Sequence, residues 1–453
     1  MGIKKEIANE KNIIKDIINR IKKRDFTGYT GIALKNLIYQ TVGNFVGKIG
    51  GLIFTIILAR LLMPELFGLY NLALSTIFLF ATFSGLGIGE TFITFVSKEL
   101  GKNRKEKAKA YALYLLKIKL ILFIVSSFAL LLSAKFISET YYKKPIFLAL
   151  IAGLLYITFF ELGNFLGFVF QSSNNFKIVS MKEIIFQISR LILVPIAIIL
   201  SLKYSLSTEK ILFYIILMLA LSFMISSILV IFKIREKDLI NERKEKLTTN
   251  QKKQTKNFLL ITSILIFSGT FFSLIDKIML GRFVNAEFIG YYSASVGLIA
   301  ALCSLIGFSS VLLPIFSRLV NKKIVKGLNK SLKIFFILGL FTFLITIIFA
   351  PLGIWIAYGK EYTTSVNILR LMSPLLIILP VISLYSVYFL SRREPMVIAK
   401  LLIISTIINI ILNYILITSF MKYGDLEAIY GAGTATIISQ LVFLLGLVYY
   451  KNR

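Results

Sequence analysis

The sequence predicts an all-α polytopic membrane protein, with about twelve transmembrane helices in two parallel six-helix lobes. Three observations support this fold class. Of the 453 residues 57% are hydrophobic and the mean hydropathy is +0.83. Apolar runs of about 20 residues, the thickness of a bilayer core, recur along the chain, and one motif recurs half-way along it. Because a chain in lipid must satisfy its own backbone hydrogen bonds, each run is predicted to be a helix.

Twelve apolar segments have the length of a membrane span. They cover residues 33–59, 69–92, 111–134, 145–170, 178–202 and 210–232 in the first half, and 257–280, 289–315, 334–357, 363–390, 396–420 and 431–450 in the second. Pro195, Pro374 and Pro380 fall inside spans. Each lacks a backbone donor, so a bend or a break is expected there.

A motif at the end of the first span indicates a duplicated chain. The stretch Leu58–Tyr70 returns 222 residues later as Leu280–Tyr292, in which Arg60, Glu65, Gly68 and Tyr70 correspond to Arg282, Glu287, Gly290 and Tyr292. Each copy joins one apolar span to the next. Six spans precede the second copy, so both halves enter the membrane from the same side as parallel repeats. A repeated membrane-embedded half is typical of transporters.

The net charge of +30 is explained by its distribution. With the N-terminus inside, the inner segments hold 37 Lys and Arg residues and the outer loops hold 8. This bias predicts a multi-pass protein of the cell membrane with both termini in the cytoplasm. The positive charge is therefore interpreted as an orientation signal facing anionic lipid, and no nucleic-acid partner is expected.

Four parts are predicted along the chain: a basic cytoplasmic tail (1–31), an N-terminal lobe (32–233), a cytoplasmic linker (234–255) and a C-terminal lobe (256–450). The tail is either an interfacial amphipathic helix or a partly ordered basic segment. The sequence has no histidine and a single cysteine, Cys303, which excludes histidine catalysis, histidine metal sites and an intrachain disulfide. No cofactor is indicated.

The motif resembles the signature of a known transporter family. Residues 60–70 are similar to the signature of lipid-linked oligosaccharide flippases, the Wzx-type polysaccharide exporters of the multidrug/oligosaccharidyl-lipid/polysaccharide superfamily. Met63 stands where that family usually has Gly. The resemblance extends over residues 33–450 and includes the stretches Asp276–Gly281, Tyr358–Tyr362 and Gly431–Thr436. It implies a V-shaped bundle that alternates between inward and outward openings, with a polyprenyl-phosphate or -pyrophosphate sugar unit as cargo.

Basic residues within or at the ends of spans are the candidate substrate ligands. A charged side chain in a span costs roughly 2.5–3.5 kcal/mol on insertion scales, so it normally faces a partner or a wet cavity. A cationic cavity between the lobes would hold phosphate oxygens through charge-assisted hydrogen bonds. The candidates are Lys48, Arg190, Arg370, Arg60 and Arg282. Alternatively, Lys48 snorkels or pairs internally, and the arginines at positions 60 and 282 anchor the protein at the outer interface.

Two acidic residues within spans are the candidates for ion coupling. Glu161 lies at a depth similar to that of Arg190, so the two are expected to pair, whether for function or for structure alone. Asp276 has Phe54 as its counterpart in the first repeat. An acid that is not duplicated on a duplicated scaffold suits coupling to H⁺ or Na⁺; the alternative is an ion pair near Lys277 or with another helix.

The leading functional hypothesis is a transporter, not an enzyme. It would flip a lipid-linked oligosaccharide from the inner to the outer leaflet, for surface polysaccharide or glycoprotein synthesis, by alternating access. One alternative is a cation-coupled multidrug antiporter of the same superfamily, which would favour an acidic cavity. Another is a membrane polysaccharide polymerase or ligase, which would need a larger outer loop than the short ones predicted. The chain has no Gly-x-x-x-x-Gly-Lys-[Ser/Thr] motif for a nucleotide.

Overall fold

The computed structural model describes residues 28–234, 245–306, 312, 316 and 322–453. Helices dominate these ranges. The first half contains α1 (Gly28–Gly85), α2 (Ile88–Gly101), α3 (Lys105–Lys135), α4 (Phe147–Ser172), α5 (Phe176–Lys203) and α6 (Thr208–Ile234). The second contains α7 (Thr249–Phe283), α8 (Ala286–Ile306), α9 (Lys322–Tyr358), α10 (Ser365–Met372), α11 (Leu375–Ser391), α12 (Pro395–Met421) and α13 (Asp425–Asn452). A π-helical turn, Phe136–Tyr142, extends α3, and a 3₁₀ turn, Lys360–Tyr362, follows α9.

These helices supply the twelve predicted spans. Within the described ranges, ten segments are long and apolar enough to cross a membrane. One of them, Leu34–Gly101, contains two spans because its backbone leaves the helical region at Met63 (φ 59°, ψ 170°), directly before Pro64. Helices α10 and α11 are bent by 41° about Pro374 and together form one more span. The predicted fold class is confirmed, whereas the predicted helix of the tail lies outside the described residues.

Local sequence signals account for several helix boundaries. Thr248 starts α7 with a capping box: its hydroxyl accepts from the Gln251 backbone N–H while the Gln251 side chain accepts from the Thr248 N–H. Pro395 occupies the first turn of α12, where its missing N–H has no cost. Gly359 has a φ of 94°, which a residue with a Cβ rarely adopts, and ends α9.

The helices pack as two lobes. In the N-lobe (α1–α6), α4 packs on α6, and α5 packs on both α6 and α1. A Cβ at Gly43 would lie 2.9 Å from Ser180 Oγ, so the absence of a side chain lets α1 approach α5 closely. In the C-lobe (α7–α13), α12 packs on α13 and α7, and α9 packs on α11. Apolar side chains on the outer surface of α3 and α9, such as Ile124 and Phe341, are exposed, as lipid-facing residues are.

The lobes meet mainly through α1 and α8, with further contacts of α1 and α2 on α7. We call the end of the bundle at which the first and seventh spans finish, residues 59–68 and 281–290, the joint end. It contains both copies of the repeated motif. The charge distribution predicts that the joint end faces the outside of the cell.

Candidate functional site

Asp276 lies at the centre of a buried hydrogen-bond network in the C-lobe. Its carboxylate accepts hydrogen bonds from Tyr292 OH (2.6 Å), from Asn413 Nδ2 (2.8 Å) and from the Thr436 hydroxyl. Asp276 is only 6% exposed, and Asn413 is fully buried. The network joins four helices, α7, α8, α12 and α13. It also leaves Asn413 Oδ1, and both polar side-chain atoms of Asn409, without a hydrogen-bond partner among the described residues.

A cavity of about 350 Å³ borders this network. Asp276, Lys277, Tyr292 and Thr436 line it. Buried polar atoms without partners are costly, so a carboxylate beside unpartnered amide oxygens fits a bound cation or proton. Sequence analysis identified Asp276 but missed the two asparagines. Their spacing of four on an apolar helix is a signal that would have placed them on one face.

Arg190 occupies the corresponding region of the N-lobe, in different surroundings. Its guanidinium lies over the rings of Phe54 (4.5 Å) and Phe186 (5.0 Å), a cation–π arrangement. Arg190 Nε is buried and has no hydrogen-bond partner among the described residues. Phe54 is the residue that corresponds to Asp276, so the N-lobe has an aromatic ring beside an arginine where the C-lobe has the acid.

The predicted pair of Glu161 and Arg190 is not what the structure shows. Glu161 instead forms a salt bridge with Lys119 of α3, and both residues are about 95% buried (exposures of 6% and 5%). Lys119 was not among the site residues predicted from the sequence. The pair lines a cavity of about 330 Å³ between the lobes, which we call the inter-lobe pocket. Glu90, Asn164 and Thr270 also line it.

Lys48 lies in a third cavity, of about 460 Å³, which we call the polar pocket. Lys182, Glu183 and Asn164 also line it, and Asn164 borders the inter-lobe pocket as well. Lys182 Nζ donates to Asn164 Oδ1 (3.2 Å), and Lys48 Nζ donates to the Ser304 carbonyl of α8 (3.4 Å). Both lysines therefore bond neutral oxygens, and Lys182 is a ligand candidate that sequence analysis missed.

The charge of these cavities differs from the expectation of a purely cationic site. The two pockets are lined by three lysines and three glutamates: Lys48, Lys119, Lys182, Glu90, Glu161 and Glu183. The salt bridge neutralises one lysine and one glutamate, and Glu183 accepts a hydrogen bond from Gln187 (2.6 Å). Lys48 and Lys182 remain as cations and Glu90 and Glu183 as anions, so the two pockets together carry no formal net charge.

The other predicted cations lie elsewhere. Arg370 Nε donates to the Ile347 carbonyl of α9 (3.1 Å) within the C-lobe, away from the three cavities. Arg60 donates to the Ala357 carbonyl (2.8 Å) and to the Ile356 carbonyl at the end of α9. Arg282 donates to the carbonyls of residues 141 (2.7 Å) and 140 (3.2 Å), at the end of the π-helical turn. Both of these arginines thus bind backbone at the joint end.

Comparisons with known proteins agree with this architecture. The model of a family described as polysaccharide biosynthesis protein matches residues 33–320. No curated protein matches the chain. A structure of the lipid II flippase MurJ in an inward closed conformation is similar, with a TM-score of 0.68 and 19% identity over 90% of this chain and 87% of that one.

Two further solved structures share the fold. An inward-facing multidrug resistance MATE family transporter of the MOP superfamily has a TM-score of 0.63 and 16% identity, over 92% of this chain and 98% of that one. A MOP superfamily transporter from Pyrococcus furiosus, described as having a binding pocket of reversed polarity, has a TM-score of 0.56 and 15% identity, over 93% and 95% of the two chains.

Proposed function

The chain belongs to the polysaccharide biosynthesis protein family, and we propose that it flips a lipid-linked oligosaccharide from the inner to the outer leaflet of the cell membrane. The carrier would be a polyprenyl phosphate or pyrophosphate, and the two lobes would expose the cargo to each side in turn. Family membership and the shared fold make the chain a flippase-like membrane transporter; the cargo, the leaflets and the direction are the proposed part.

The observation that carries the proposal is the pair of lysines in the polar pocket. Lys182 is 93% buried, and its hydrogen bond goes to the neutral oxygen of Asn164. The carboxylates of Glu183 and Glu161 attract its charge from nearby, and no salt bridge joins either to Lys182 among the described residues. A buried cation needs an anionic partner to offset its desolvation. Lys48 approaches the same pocket from α1 and reaches across to α8 of the other lobe. Phosphate oxygens between these two ammonium groups would supply that partner, and they would connect cargo binding to the position of the C-lobe.

The Asp276 network supports a coupling role in the same transport cycle. Asn413 donates to the carboxylate through Nδ2, and its Oδ1 has no hydrogen-bond partner among the described residues. The carboxylate and this amide oxygen are the oxygen ligands that the network could offer to Na⁺. Protonation of the carboxylate is the other chemistry that the site permits. Either ion would bind α7, α8, α12 and α13 together and so favour one arrangement of the C-lobe over another.

A second candidate function is cation-coupled export of an organic cation. The observation that favours it is the same acidic site, because Asp276 borders a cavity lined largely by apolar residues, such as Phe272 and Leu379. A cation with an apolar body would fit such surroundings. The two candidates differ in which lobe binds the cargo: the lysines of the N-lobe bind an anion, and the carboxylate of the C-lobe binds a cation.

Transport in reconstituted vesicles tests the proposal. We expect purified protein to move a short-chain polyprenyl-diphosphate sugar between leaflets. Lys48→Met and Lys182→Met should each lower that rate about tenfold, the effect of losing one charge-assisted hydrogen bond. Lys177→Met on the exposed side of α5 is the matched control and should transport normally.

The contrary results are equally specific. If the double variant Lys48→Met/Lys182→Met moves the lipid-linked sugar at the parent rate, the head group does not bind in the polar pocket. If the parent protein instead accumulates a fluorescent organic cation and leaves the lipid-linked sugar in place, the antiporter is correct and the flippase proposal is refuted.

A further inference from the structure

The repeated motif makes reciprocal contacts across the joint end. Arg60 of the N-lobe bonds the last carbonyls of α9 in the C-lobe. Arg282, its counterpart 222 residues later, bonds the last carbonyls of the turn that extends α3 in the N-lobe. The carbonyls at a helix C-terminus lack intrahelical donors and carry partial negative charge, so a guanidinium caps them well. Each lobe therefore caps an equivalent helix of the other.

A second reciprocal pair lies one residue earlier in the motif. The Ala59 carbonyl accepts from Tyr362 OH of the C-lobe (2.9 Å), and the equivalent Gly281 carbonyl accepts from Lys144 Nζ of the N-lobe (2.7 Å). The two donors differ in chemistry. Burial lowers the pKa of the Lys144 ammonium to about 8, against the opposing charge of Asp425.

The duplicated glycines form the third pair. A Cβ at Gly68 would lie 1.8 Å from the Ala286 carbonyl oxygen, and a Cβ at Gly290 would lie 2.0 Å from that of Pro64. Residues 64 and 286 are themselves equivalent positions. Backbone thus meets backbone across the joint at both places, and contacts this short leave room only for glycine.

We propose that the two copies of the motif are the halves of one gate, which holds the lobes together at the joint end and opens when they separate there. The inference rests on the proposed alternating-access function, since opening is needed only if cargo leaves on that side. It assigns Arg60 and Arg282 to the gate, where they position the lobes, and removes them from the set of cargo ligands. Because the contacts are reciprocal, both halves must release together if the lobes separate as rigid bodies.

Accessibility of one cysteine measures the gate directly. Thr55 faces Gly297 of α8 just below the joint, where its methyl carbon would be 3.9 Å from a Cβ at that glycine. We place the reporter Thr55→Cys in a Cys303→Ser background and label sealed vesicles with a membrane-impermeant maleimide from each side. Arg60→Ala and Arg282→Ala should each raise labelling from the joint side about tenfold, and together about a hundredfold, if each removes one charge-assisted contact.

Glycine variants provide the steric test. Gly68→Ala and Gly290→Ala should raise labelling from the joint side as the arginine variants do, because the new methyl group holds the backbones apart. Gly353→Ala, where a Cβ meets nothing within 4 Å, is the matched control and should label as the parent does. Arg60→Lys and Arg282→Lys keep the charge and should lie between parent and alanine variants.

Unchanged labelling in the arginine and glycine variants would overturn the gate. Labelling is measured without cargo, so it is unaffected by a wrong assignment of the substrate. Failure of the proposed transport function would appear instead in the vesicle assay with lipid-linked sugar, while the response of the reporter stayed intact.

Discussion

The two lobes place opposite groups on the same scaffold. In the C-lobe, Asp276 accepts hydrogen bonds from three neighbouring helices. In the N-lobe the equivalent position is Phe54, and the charged group beside it is the guanidinium of Arg190. Tyr292, which donates to Asp276, has Tyr70 as its counterpart in the first repeat. The duplication therefore kept the framework and changed the charge.

Under the proposed function, this difference would give the two lobes separate tasks. Lysines with neutral partners line the pocket of the N-lobe, which suits an anionic cargo. Carboxylate and amide oxygens form the site of the C-lobe, which suits a proton or a small cation. A transporter that couples two ligands needs sites that do not compete for the same ion, and opposite charge in the two lobes meets that need.

The largest expected effect comes from removing the acid of the C-lobe. Asp276→Asn should lower transport driven by an ion gradient about a hundredfold or more, because the neutral amide neither takes up a proton nor offers a charged ligand to Na⁺, and one lost charge-assisted contact corresponds to about 1.5–3 kcal/mol. Cargo binding, which we propose for the N-lobe, should persist. Leaflet transfer in vesicles with an imposed H⁺ or Na⁺ gradient measures the first effect, and equilibrium binding of lipid-linked sugar the second.

Phe54→Leu, at the equivalent position of the N-lobe, is the matched control and should retain the gradient response. If Asp276→Asn responds to both gradients as the parent does, Asp276 is structural and the comparison between lobes carries no functional meaning.

A smaller effect, on stability, tests the buried ion pair of the N-lobe. Lys119→Met leaves the Glu161 carboxylate buried without its cation, so it should lower the free energy of unfolding by about 3–5 kcal/mol. The double variant Lys119→Met/Glu161→Gln should regain most of this loss. Arg190→Met removes only ring stacking and should cost about 0.5–2 kcal/mol.

Thermal unfolding of the purified variants in detergent gives the order of these costs. If instead Glu161→Gln rescues Arg190→Met and fails to rescue Lys119→Met, the pairing expected from sequence is the correct one.

The smallest expected effect, on stability, compares the two equivalent turns that contain Met63 and Asn285. Met63 has a φ of 59° and a ψ of 170°, a region nearly restricted to glycine, whereas its counterpart Asn285 is not among the residues with positive φ. Met63→Gly should therefore stabilise the protein by about 1 kcal/mol through relief of backbone strain. Asn285→Gly should destabilise it by roughly 0.5–1 kcal/mol through the added freedom of the unfolded chain. Equal shifts of the unfolding midpoint in both variants would contradict this reading.

The sequence alone predicted the fold well because hydropathy and duplication act over long stretches. Apolar runs defined the spans, and the motif beginning at Leu58 identified the repeat. Asp276 stood out because the first repeat has no acid at the equivalent position. Met63 stood out as a departure from glycine, and the positive φ explains why glycine is usual there.

The ion-pair and hydrogen-bond partners of the charged side chains could not be predicted in the same way. Glu161 was matched with Arg190 on depth alone, but depth does not specify the rotation of a helix about its axis. Rotation decided that Glu161 faces Lys119 on α3, and that Arg190 faces aromatic rings. Likewise, Arg60 and Arg282 were correctly placed at span ends. Their role depends on which carbonyls the other lobe brings there, and that is a property of the packed bundle.

The reciprocal contacts at the joint end have the form of an isologous interface between two identical subunits. In such an interface the contact of residue i with residue j is repeated as j with i about a two-fold axis, as here for positions 64 and 68 with 290 and 286. A single half-length chain would form this interface as a homodimer. It would then carry the same residue at both equivalent positions, so an acid in one lobe would require an acid in the other. Fusion into one chain removes that constraint, and it permits Phe54 beside the guanidinium of Arg190 in one lobe and the carboxylate of Asp276 at the equivalent position of the other.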